Sequence, residues 1–441
     1  EVRILSTGPA GENLVRIACL ISDYRRSAGR GGSGAVFGSK NLKAVCVEGS
    51  REVPIADGQK LRETIRQVGE NVKKEREEGK DFYIYGTSST VDDASERDRI
   101  PTRNYQQAEF EGCLDITGEA LYEKYDVDMV GCCPCFIKCQ GEIVGIGERP
   151  EYETLAMLGA NCGIRDLKAI IKGNILCNQL GLDTISTGCV IGFAMECSAL
   201  GIIEERYEFG NAEHLLELIS KIAYREGIGN LLAEGVRKAS ERIGRGSENL
   251  AVHVKGMEIP AWDPRGKLGH GLAYMTADIG GSHLRDFYST EKIPECSALE
   301  VMDSFIEGQD RNVIRDNLIL CTFAMDTMNE ALRRDAYRAI TGKPLTEETE
   351  KRVANRIWTL IRLYNISEGI RRTDDSLPHK LRSVPLPSGV AQGCTAFLSE
   401  GDMERSLDEY YKRRGWNSEG IPTSTTVSAL GLDWYPHRKD K

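Results

Sequence analysis

Four cysteines fall within eight residues about a third of the way along the chain. Residues 131–139 read GCCPCFIKC, and Cys132, Cys135 and Cys139 have the spacing C-x2-C-x3-C. Thiolates so close together can bind one metal centre, whereas pairing them as disulfides would strain the backbone. No second compact cysteine pair or histidine lies nearby, so the spacing favours an iron–sulfur cluster over zinc. Reactive or structural thiols are the third reading, and Cys133 is surplus to the set.

A carboxylate and a histidine are the candidates for acid–base chemistry. Glu153 follows Tyr152 and precedes a segment that becomes apolar at Leu155. Apolar surroundings raise the pKa of a carboxyl group, which suits a general base that acts near neutral pH. A glutamate in the first turn of a helix is the common structural alternative. His283 lies in a glycine-rich turn, and an isolated histidine is usually structural.

A glycine-rich stretch covers residues 27–40 and includes Gly29, Arg30 and Lys40. Backbone amides without side-chain obstruction can approach a phosphate, and the two cations could neutralise it. The stretch lacks the residue order of a P-loop or of a dinucleotide fingerprint, so a flexible turn between strands is an equally good reading.

The periodicity of the chain predicts the elements that position these residues. Short β-like runs at 2–5, 14–21 and 42–47 indicate the end of an α/β or β-rich domain. Apolar residues then recur at helical spacing. The segments with this spacing are 59–80, 155–182, 214–243, 313–328, 347–367 and 403–415. A loop rich in glycine and proline at 254–270 marks a second boundary.

The composition excludes several classes of protein. With 441 residues, 40% hydrophobic and 28% charged, the chain is long enough for two or three globular domains. A net charge of −10 argues against broad nucleic-acid binding, and no apolar run is long enough to cross a membrane. We expect most of the 14 cysteines to be free thiols in a reducing, cytoplasmic setting. Five in apolar segments should be small buried side chains: Cys19, Cys46, Cys162, Cys177 and Cys197.

Nine motifs in this order resemble the aldehyde ferredoxin oxidoreductase family, over essentially the whole chain. They are GPAGEN (8–13), AGRGGSGAVFGSKNLKA (28–44), CCPCFIKC (132–139), PEYETLAMLG (150–159), GLDTISTG (181–188), VKGMEIPAWDPRG (254–266), GLAYMTADIGGSHLR (271–285), DNLILC (316–321) and RRGW…GIPT (413–423).

The resemblance implies a mainly α fold with two helical domains. These are preceded by the C-terminal remnant of a β-rich α+β pterin-binding domain, because members of the family begin well upstream of Glu1. The resemblance implies three domains. Residues 1–50 are the end of the pterin-binding domain, and residues 51–250 form a helical domain with the C-x2-C-x3-C motif and a first pterin-binding element. Residues 251–441 form a helical domain with a second such element.

The family's cofactors are a tungsten (or molybdenum) bis-pyranopterin and a 4Fe–4S cluster. The resemblance implies that Cys321, which closes DNLILC, is the fourth cluster ligand beside Cys132, Cys135 and Cys139. Two related elements flank the pterins in the family. Their residues here are Asn178, Gly181, Leu182 and Asp183 in the first, and Asp316, Leu320 and Cys321 in the second. The family has aspartate where this chain has Asn178, so the pterin contact at that position should be weaker or reoriented. It has glycine where this chain has Ile319, so the local backbone geometry there should differ while the Cys321 thiolate is kept.

The resemblance also gives the glycine-rich stretch a role. In the family this loop meets the pterin phosphates, and a backbone carbonyl near Ala28 helps to hold a bridging magnesium. Gly29 and Arg30 are therefore expected to bind cofactor, and Arg285 falls where the family places a basic residue near the pterin.

The implied activity is oxidation of an aldehyde, with water, to a carboxylic acid, and transfer of two electrons to ferredoxin. Glu153, with Tyr152, matches the active-site Tyr-Glu pair of the family, and His283 matches the histidine that hydrogen-bonds an oxygen near the metal. His270 is a weaker candidate for lining the substrate channel. Asp263 and Arg265 are expected to organise a turn.

Two other functions stay open at this stage. One is a family member that reduces a carboxylic acid or an aryl-CoA substrate; the other is a non-catalytic iron–sulfur or zinc protein. The sequence does not decide between tungsten and molybdenum, or between a monomer and a homodimer.

Overall fold

The computed structural model describes residues 2–23, 26–132, 134–285, 292–325 and 327–435. Cys133, the surplus cysteine of the cluster motif, lies outside these residues. Most of the described chain is helical, with three small sheets, which confirms the prediction of a mainly α fold. The domain limits at residues 50 and 250 stay predictions.

The first sheet is antiparallel and forms near the start of the chain. Its strands are β1 (Arg3–Thr7), β2 (Leu20–Ser22), β3 (Arg26–Ala28) and β4 (Ala44–Val47), in the order β3-β2-β1-β4. The predicted strand over 14–21 is largely wrong, because only its last two residues enter β2. Cys46 lies on the edge strand β4 and is exposed, so the prediction that it is buried is also wrong. Cys19, Cys162, Cys177 and Cys197 are buried as predicted.

Two smaller sheets flank the functional residues. Strands β5 (Val127–Val130), β6 (Gln140–Ile143) and β7 (Gly147–Glu148) form an antiparallel sheet around the cysteine loop. Strands β8 (His253–Val254) and β9 (Met257–Glu258) form a hairpin inside the predicted glycine- and proline-rich loop.

Helices make up the rest of the regular structure. The longer ones are Gly58–Glu77, Leu167–Leu180, Thr184–Ala199, Ala212–Tyr224, Gly235–Ile243, Met302–Asn317, Glu330–Thr341, Glu347–Ser367 and Glu400–Arg413. The shorter ones are Pro9–Glu12, Ser33–Ser39, Phe82–Tyr85, Val91–Glu96, Gly118–Lys124, Tyr152–Thr154, Gly229–Leu232, His270–Thr276, His379–Ser383 and Ser424–Ala429. Among the described helices, none is both long enough and apolar enough to pass through a bilayer.

Two helical predictions need correction. The segment 155–182 begins with a π-helical turn, Leu155–Gly159, and becomes an α-helix only at Leu167. A π turn is rare and often lies at a functional site; this one directly follows Glu153. The helix predicted at 313–328 instead runs from Met302 to Asn317 and ends before Ile319, whose φ is 58°.

Glycines allow the two short helices near the first sheet to cross. A Cβ on Gly38 would overlap the carbonyl of Gly11, and a Cβ on Gly11 would lie 2.5 Å from the carbonyl oxygen of Gly34. The close crossing keeps the glycine-rich loop, which leads into helix Ser33–Ser39, against the body of the protein.

One buried ion pair ties distant segments together. Asp263 and Arg265 are both fully buried and are joined by a guanidinium–carboxylate contact of 2.6 Å. Arg265 also donates to the carbonyl oxygens of Tyr105 at 2.7 Å and Val384 at 3.2 Å. The predicted turn at Asp263 is therefore present, as a single 3-10 turn, and it connects three parts of the chain.

Replacing Asp263 with alanine should destabilise the protein by about 3–5 kcal/mol, because it leaves a buried guanidinium without its carboxylate. Urea unfolding midpoints would measure the loss. The exposed pair Arg237–Glu241 is the control, since replacing Glu241 with alanine should cost under about 1 kcal/mol. Equal losses for the two variants would contradict the structural role of the Asp263–Arg265 pair.

Candidate active site

A carboxylate and an imidazole face each other across a narrow gap. Glu153 lies in the short helix Tyr152–Thr154, and its Oε2 accepts a hydrogen bond from the amide of Ala261 at 2.9 Å. The Nε2 atom of His283 lies 3.6 Å from Oε1 of Glu153. That oxygen is buried and has no hydrogen-bond partner among the described residues. A buried acceptor with an open position can take a hydrogen bond from a ligand.

The surroundings set the protonation of both groups. Burial raises the pKa of Glu153 to about 7, although the Ala261 amide and Arg30 oppose the change. Burial, with Arg30 and Lys267 acting in the same direction, lowers the pKa of His283 to about 3. Near neutral pH the imidazole is therefore uncharged while the carboxyl can gain or lose a proton, so the two groups form no lasting ion pair. These protonation states suit Glu153 to act as a base and His283 to act as a neutral hydrogen-bond donor.

Aromatic side chains support the amide that holds Glu153. The hydroxyl of Tyr152 donates to the carbonyl of Ala261 at 2.6 Å, and the ring of Tyr152 lies 4.9 Å from that of Trp262. Tyr274 donates to the carbonyl of Trp262 at 2.8 Å. In this structure the Tyr152 hydroxyl is committed to the backbone, so the residue positions the segment 261–262. A direct catalytic role for Tyr152 stays a prediction.

Arg30 links the glycine-rich loop to the turn that carries His283. Its guanidinium donates to the carbonyls of Gly281 and Glu258 and reaches Oδ2 of Asp183 at 3.4 Å. The Arg30 side chain is only 9% exposed, so its charge acts directly on Glu153 and His283. The predicted residues Arg30, Glu153, Asp183 and His283 thus lie in one place.

The neighbouring loop residues leave backbone atoms near Asp183. The carbonyl oxygen of Ala28 accepts from the Ser33 hydroxyl at 2.8 Å. A Cβ on Gly29 would lie 3.6 Å from Oδ1 of Asp183, so this backbone approaches the carboxylate closely. The expected contacts of Ala28 and Gly29 with a phosphate or magnesium stay predictions.

The first predicted pterin element is anchored at its glycine. Gly181 ends helix Leu167–Leu180 with φ 74° and packs against Gly8, while buried Leu182 pairs with Ala18. Asp183 caps the next helix by accepting from the amides of Ile185 and Ser186. Asn178 instead lies toward β7 and donates to Glu148 at 2.6 Å.

The second predicted element is held by arginines. One carboxylate oxygen of Asp316 accepts from Arg285 at 2.7 Å, and the other accepts from Arg315 at 2.7 Å. Arg285 also donates to Asp278 at 3.1 Å. The amide of Leu320 donates to the carbonyl of Arg315, which turns the chain toward Cys321. Arg285 and Asp316 are thus direct partners.

Two of the predicted ligand cysteines, Cys132 and Cys139, lie beside Arg26, which no sequence motif indicated. The Arg26 guanidinium is 3.8 Å from Sγ of Cys139 and also interacts with Cys132. Burial raises the pKa of the Cys139 thiol to about 11; Glu151 and Cys321 add to the shift. Cys135 and Phe323 pack against the small apolar cluster that contains Cys139.

The influence of Cys321 on the pKa of Cys139 shows that these two predicted ligands, far apart in the sequence, lie in one region. Among the described residues, no group of three or more His, Cys, Asp or Glu side chains is placed to hold a metal ion. A cubane differs from a single ion because each thiolate binds a different iron. The thiol donor set, with a cation beside it, fits an anionic iron–sulfur cluster.

His270, a predicted residue of the substrate channel, is one of the buried residues near the site. His270 is fully buried against the ring of Tyr274, at 4.9 Å, and burial lowers its pKa well below the usual range. No sequence motif indicated the roles of Arg26, Ala261, Trp262 or Tyr274, because each acts through a contact with a residue in another segment of the chain. The nearest hint was the aromatic and glycine content of the segments 254–266 and 271–285.

Comparison with known proteins shows the family. The model for domains 2 and 3 of aldehyde ferredoxin oxidoreductase matches residues 63–432, and the model for the N-terminal domain of that enzyme matches residues 1–49. The chain belongs to the aldehyde ferredoxin oxidoreductase family. The resemblance inferred from the motifs is thereby confirmed, and the family is one of oxidoreductases.

Relatives in the aldehyde ferredoxin oxidoreductase family cover nearly all of this chain. A tungsten-containing aldehyde ferredoxin oxidoreductase of Pyrococcus furiosus is 38% identical over 98% of this chain and 74% of its own length. The corresponding protein of Thermococcus kodakarensis is 37% identical with the same coverage. An aliphatic sulfonate oxidoreductase, WOR-like subunit, of Pyrococcus furiosus is 29% identical over 98% of this chain and 70% of its length.

A solved structure has the same fold. The active site complex BamBC of benzoyl coenzyme A reductase, in complex with 1,5-dienoyl-CoA, superposes with a TM-score of 0.81. It covers 98% of this chain and 74% of the solved chain, at 24% sequence identity. This similarity supports the fold.

Proposed function

We propose that this protein oxidises aldehydes to carboxylic acids and passes the electrons to ferredoxin. The observation that carries the proposal is the buried carboxylate of Glu153, whose Oε1 lies 3.6 Å from Nε2 of the His283 imidazole. The names of relatives at 37–38% identity support the same reaction.

The protein's own groups divide the chemistry. A substrate oxygen bound beside the two side chains would accept a hydrogen bond from neutral His283. Glu153, ionised above its pKa of about 7, would accept the proton of the attacking water. The Ala261 amide fixes the carboxylate, so little reorganisation accompanies the proton transfer.

We propose that a tungsten (or molybdenum) bis-pyranopterin and a 4Fe–4S cluster are the cofactors. Arg30, Asp183, Arg285 and Asp316 supply polar contacts around the pterins, with the loop at Ala28 and Gly29 near their phosphates and a bridging magnesium. Cys132, Cys135, Cys139 and Cys321 would bind the cluster. When bound, the metal accepts two electrons from the substrate. The residues Asn178, Gly181, Leu182 and Leu320 complete the proposed cofactor contacts.

An assay with several substrates tests the proposal directly. Full-length protein purified without oxygen should contain tungsten or molybdenum and about four irons per chain. It should reduce benzyl viologen with aldehydes. Turnover with aliphatic sulfonates instead, or reduction of carboxylic acids or aryl-CoA thioesters alone, would assign a different substrate. The sulfonate arm is included because a relative at 29% identity carries that name.

The dependence of rate on pH is a separate prediction. Because the base form of Glu153 is needed, kcat/KM should fall about tenfold per pH unit below pH 7 and level off above it. The imidazole of His283 should add no further change between pH 5 and 8, since its pKa is about 3. A profile that is flat from pH 5 to 8 would exclude Glu153 as the base.

A further inference from the structure

A buried arginine holds the backbone of the cysteine loop. Arg149 comes directly after strand β7, and its side chain is fully buried. Its guanidinium donates to the carbonyl oxygen of Cys139 at 2.8 Å and also to the carbonyl oxygen of Tyr85. Its backbone amide donates to the carbonyl of Gly141 at 2.9 Å. Arg149 therefore fixes the chain at Cys139 and again two residues further on.

Two glycines leave room for this guanidinium. A Cβ on Gly86 would overlap both the carbonyl oxygen of Cys139 and the guanidinium of Arg149, and the φ of Gly86 is 62°. A Cβ on Gly141 would lie 2.9 Å from Cδ of Arg149. Glycine permits so close an approach and, at Gly86, the positive φ as well. The backbone around Cys139 is thus packed closely around the arginine.

A carboxylate pairs with the same guanidinium. Oε1 of Glu151 lies 3.2 Å from the Arg149 nitrogen that also donates to the Cys139 carbonyl. The Glu151 side chain is 28% exposed, so solvent screens its charge only in part. Glu151 also contributes to the raised pKa of the Cys139 thiol, so its charge reaches that sulfur. A cation and an anion therefore lie together beside one predicted ligand of the cluster.

The same carboxylate leads to the segment that carries Glu153. Oε2 of Glu151 accepts a hydrogen bond from the hydroxyl of Thr87, and that hydroxyl accepts one from the amide of Tyr152 at 3.1 Å. Glu151 comes immediately before helix Tyr152–Thr154, which contains Glu153. Because both oxygens of Glu151 have partners, the carboxylate is held in one orientation. The Arg149–Glu151 pair is thus a fixed part of the structure between the cysteine loop and the candidate base.

Fixed charges beside a cluster ligand change the free energy of adding an electron. One-electron reduction of an iron–sulfur cluster adds one negative charge, and the reduction potential depends on net charge, hydrogen bonds and solvent exposure around the cluster. A nearby carboxylate opposes the reduction, whereas a nearby guanidinium favours it. Arg149 and Glu151 therefore act in opposite directions on the same centre.

We propose that Arg149 and Glu151 are positioning residues that set the reduction potential of the cluster through Cys139. Arg149 holds the Cys139 backbone and raises the potential, while Glu151 orients the guanidinium and lowers the potential. The inference rests on the proposed function, because it requires the proposed 4Fe–4S cluster to be bound at the cysteine loop.

A redox titration of the full-length holoenzyme tests the carboxylate. Dithionite supplies the electron, and the paramagnetic signal of the reduced cluster reports the reduced fraction at each potential. Glu151→Gln keeps the shape of the side chain and removes its charge, so the reduction equilibrium should shift at least about threefold toward the reduced form. At 59 mV per factor of ten for one electron, this shift is a rise of about 30 mV.

The arginine should give the opposite shift. Arg149→Gln removes the positive charge but keeps an amide that can donate to the Cys139 carbonyl, so the potential should fall. Circular dichroism and iron content show whether this variant folds and binds its cluster. If it does not, the titration of Glu151→Gln decides the proposal by itself.

A control variant and the possible outcomes separate the two proposals. Glu234→Gln removes a carboxylate that is 12% exposed and paired with Arg16 at 3.0 Å, and it should leave the potential unchanged. If the unsubstituted protein lacks both iron and the signal of a reduced cluster, the proposed function fails and this inference fails with it. If the signal is present and the potential of Glu151→Gln is unchanged or lower, the inference alone is wrong. An equal rise in Glu234→Gln would assign the effect to net charge and would also overturn it.

Discussion

Replacing Glu153 with glutamine should lower aldehyde oxidation at least about a hundredfold, within the usual range for loss of a general base. Glutamine has the same shape and can still accept the Ala261 hydrogen bond through its carbonyl oxygen. It cannot take a proton from water near pH 7. The variant should therefore fold and keep its metal and iron content while kcat falls. Steady-state viologen reduction with elemental analysis measures both quantities.

Glu234→Gln is the matched control for this variant. Glu234 is also largely buried, at 12% side-chain exposure, but its oxygens contact Arg16 and Arg225 at 3.0 Å. Its loss should reduce stability modestly and leave turnover within about twofold, because the side chain pairs with Arg16, Arg225 and Arg242 rather than with Glu153 or His283. Near-normal activity of Glu153→Gln would remove the carboxylate from the mechanism, and a loss of tungsten would reassign the residue to cofactor binding.

The sequence predicted the helical class, the long helices over 59–80 and 347–367, and the residues that meet at the site. The meeting of Glu153 and His283, 130 positions apart, followed from the family resemblance and could not be read from spacing. Nothing local in either segment indicates the other. The structure shows which contacts hold the two residues in place. The Ala261 amide donates to the Glu153 carboxylate, and Arg30 donates to the carbonyl of Gly281 in the turn that carries His283.

Helix Thr184–Ala199 shows why some elements were missed. It is buried on nearly every side and so has no polar face to generate an amphipathic pattern. Its N-terminus was visible only as the motif GLDTISTG, in which Asp183 turns out to cap the helix as well as to contact Arg30. The same side chain therefore stabilises a helix and borders the site, two roles that residue type alone does not separate.

Arg26 was missed for a different reason. An arginine on a short strand normally points to solvent, and this one lies 113 positions before Cys139, the thiol that it contacts. A cation near thiolates favours their charged form and stabilises an anionic centre. The signal that could have identified it is spatial, because only the fold brings β3 next to the cysteine loop.

Cys321→Ser should remove the fourth thiol from the proposed cluster and cause the largest change in iron content of any single cysteine substitution outside the C-x2-C-x3-C motif. Cys321 comes from a different segment, the turn after helix Met302–Asn317, yet it lies near enough to Cys139 to influence that thiol's pKa. A hydroxyl is a poor ligand for iron in such clusters, which are held by cysteine thiolates.

We expect the Cys321→Ser variant to contain fewer than about four irons per chain, to lose the paramagnetic signal of a reduced 4Fe–4S cluster, and to reduce ferredoxin at least about tenfold more slowly. Cys46→Ser is the matched control, because Cys46 is exposed like Cys321 but lies on the edge strand β4 of the first sheet. The control should keep iron, signal and rate. A Cys321→Ser protein with four irons and an unchanged signal would mean that the fourth ligand is another residue. The electron exit would then have to be placed by that residue.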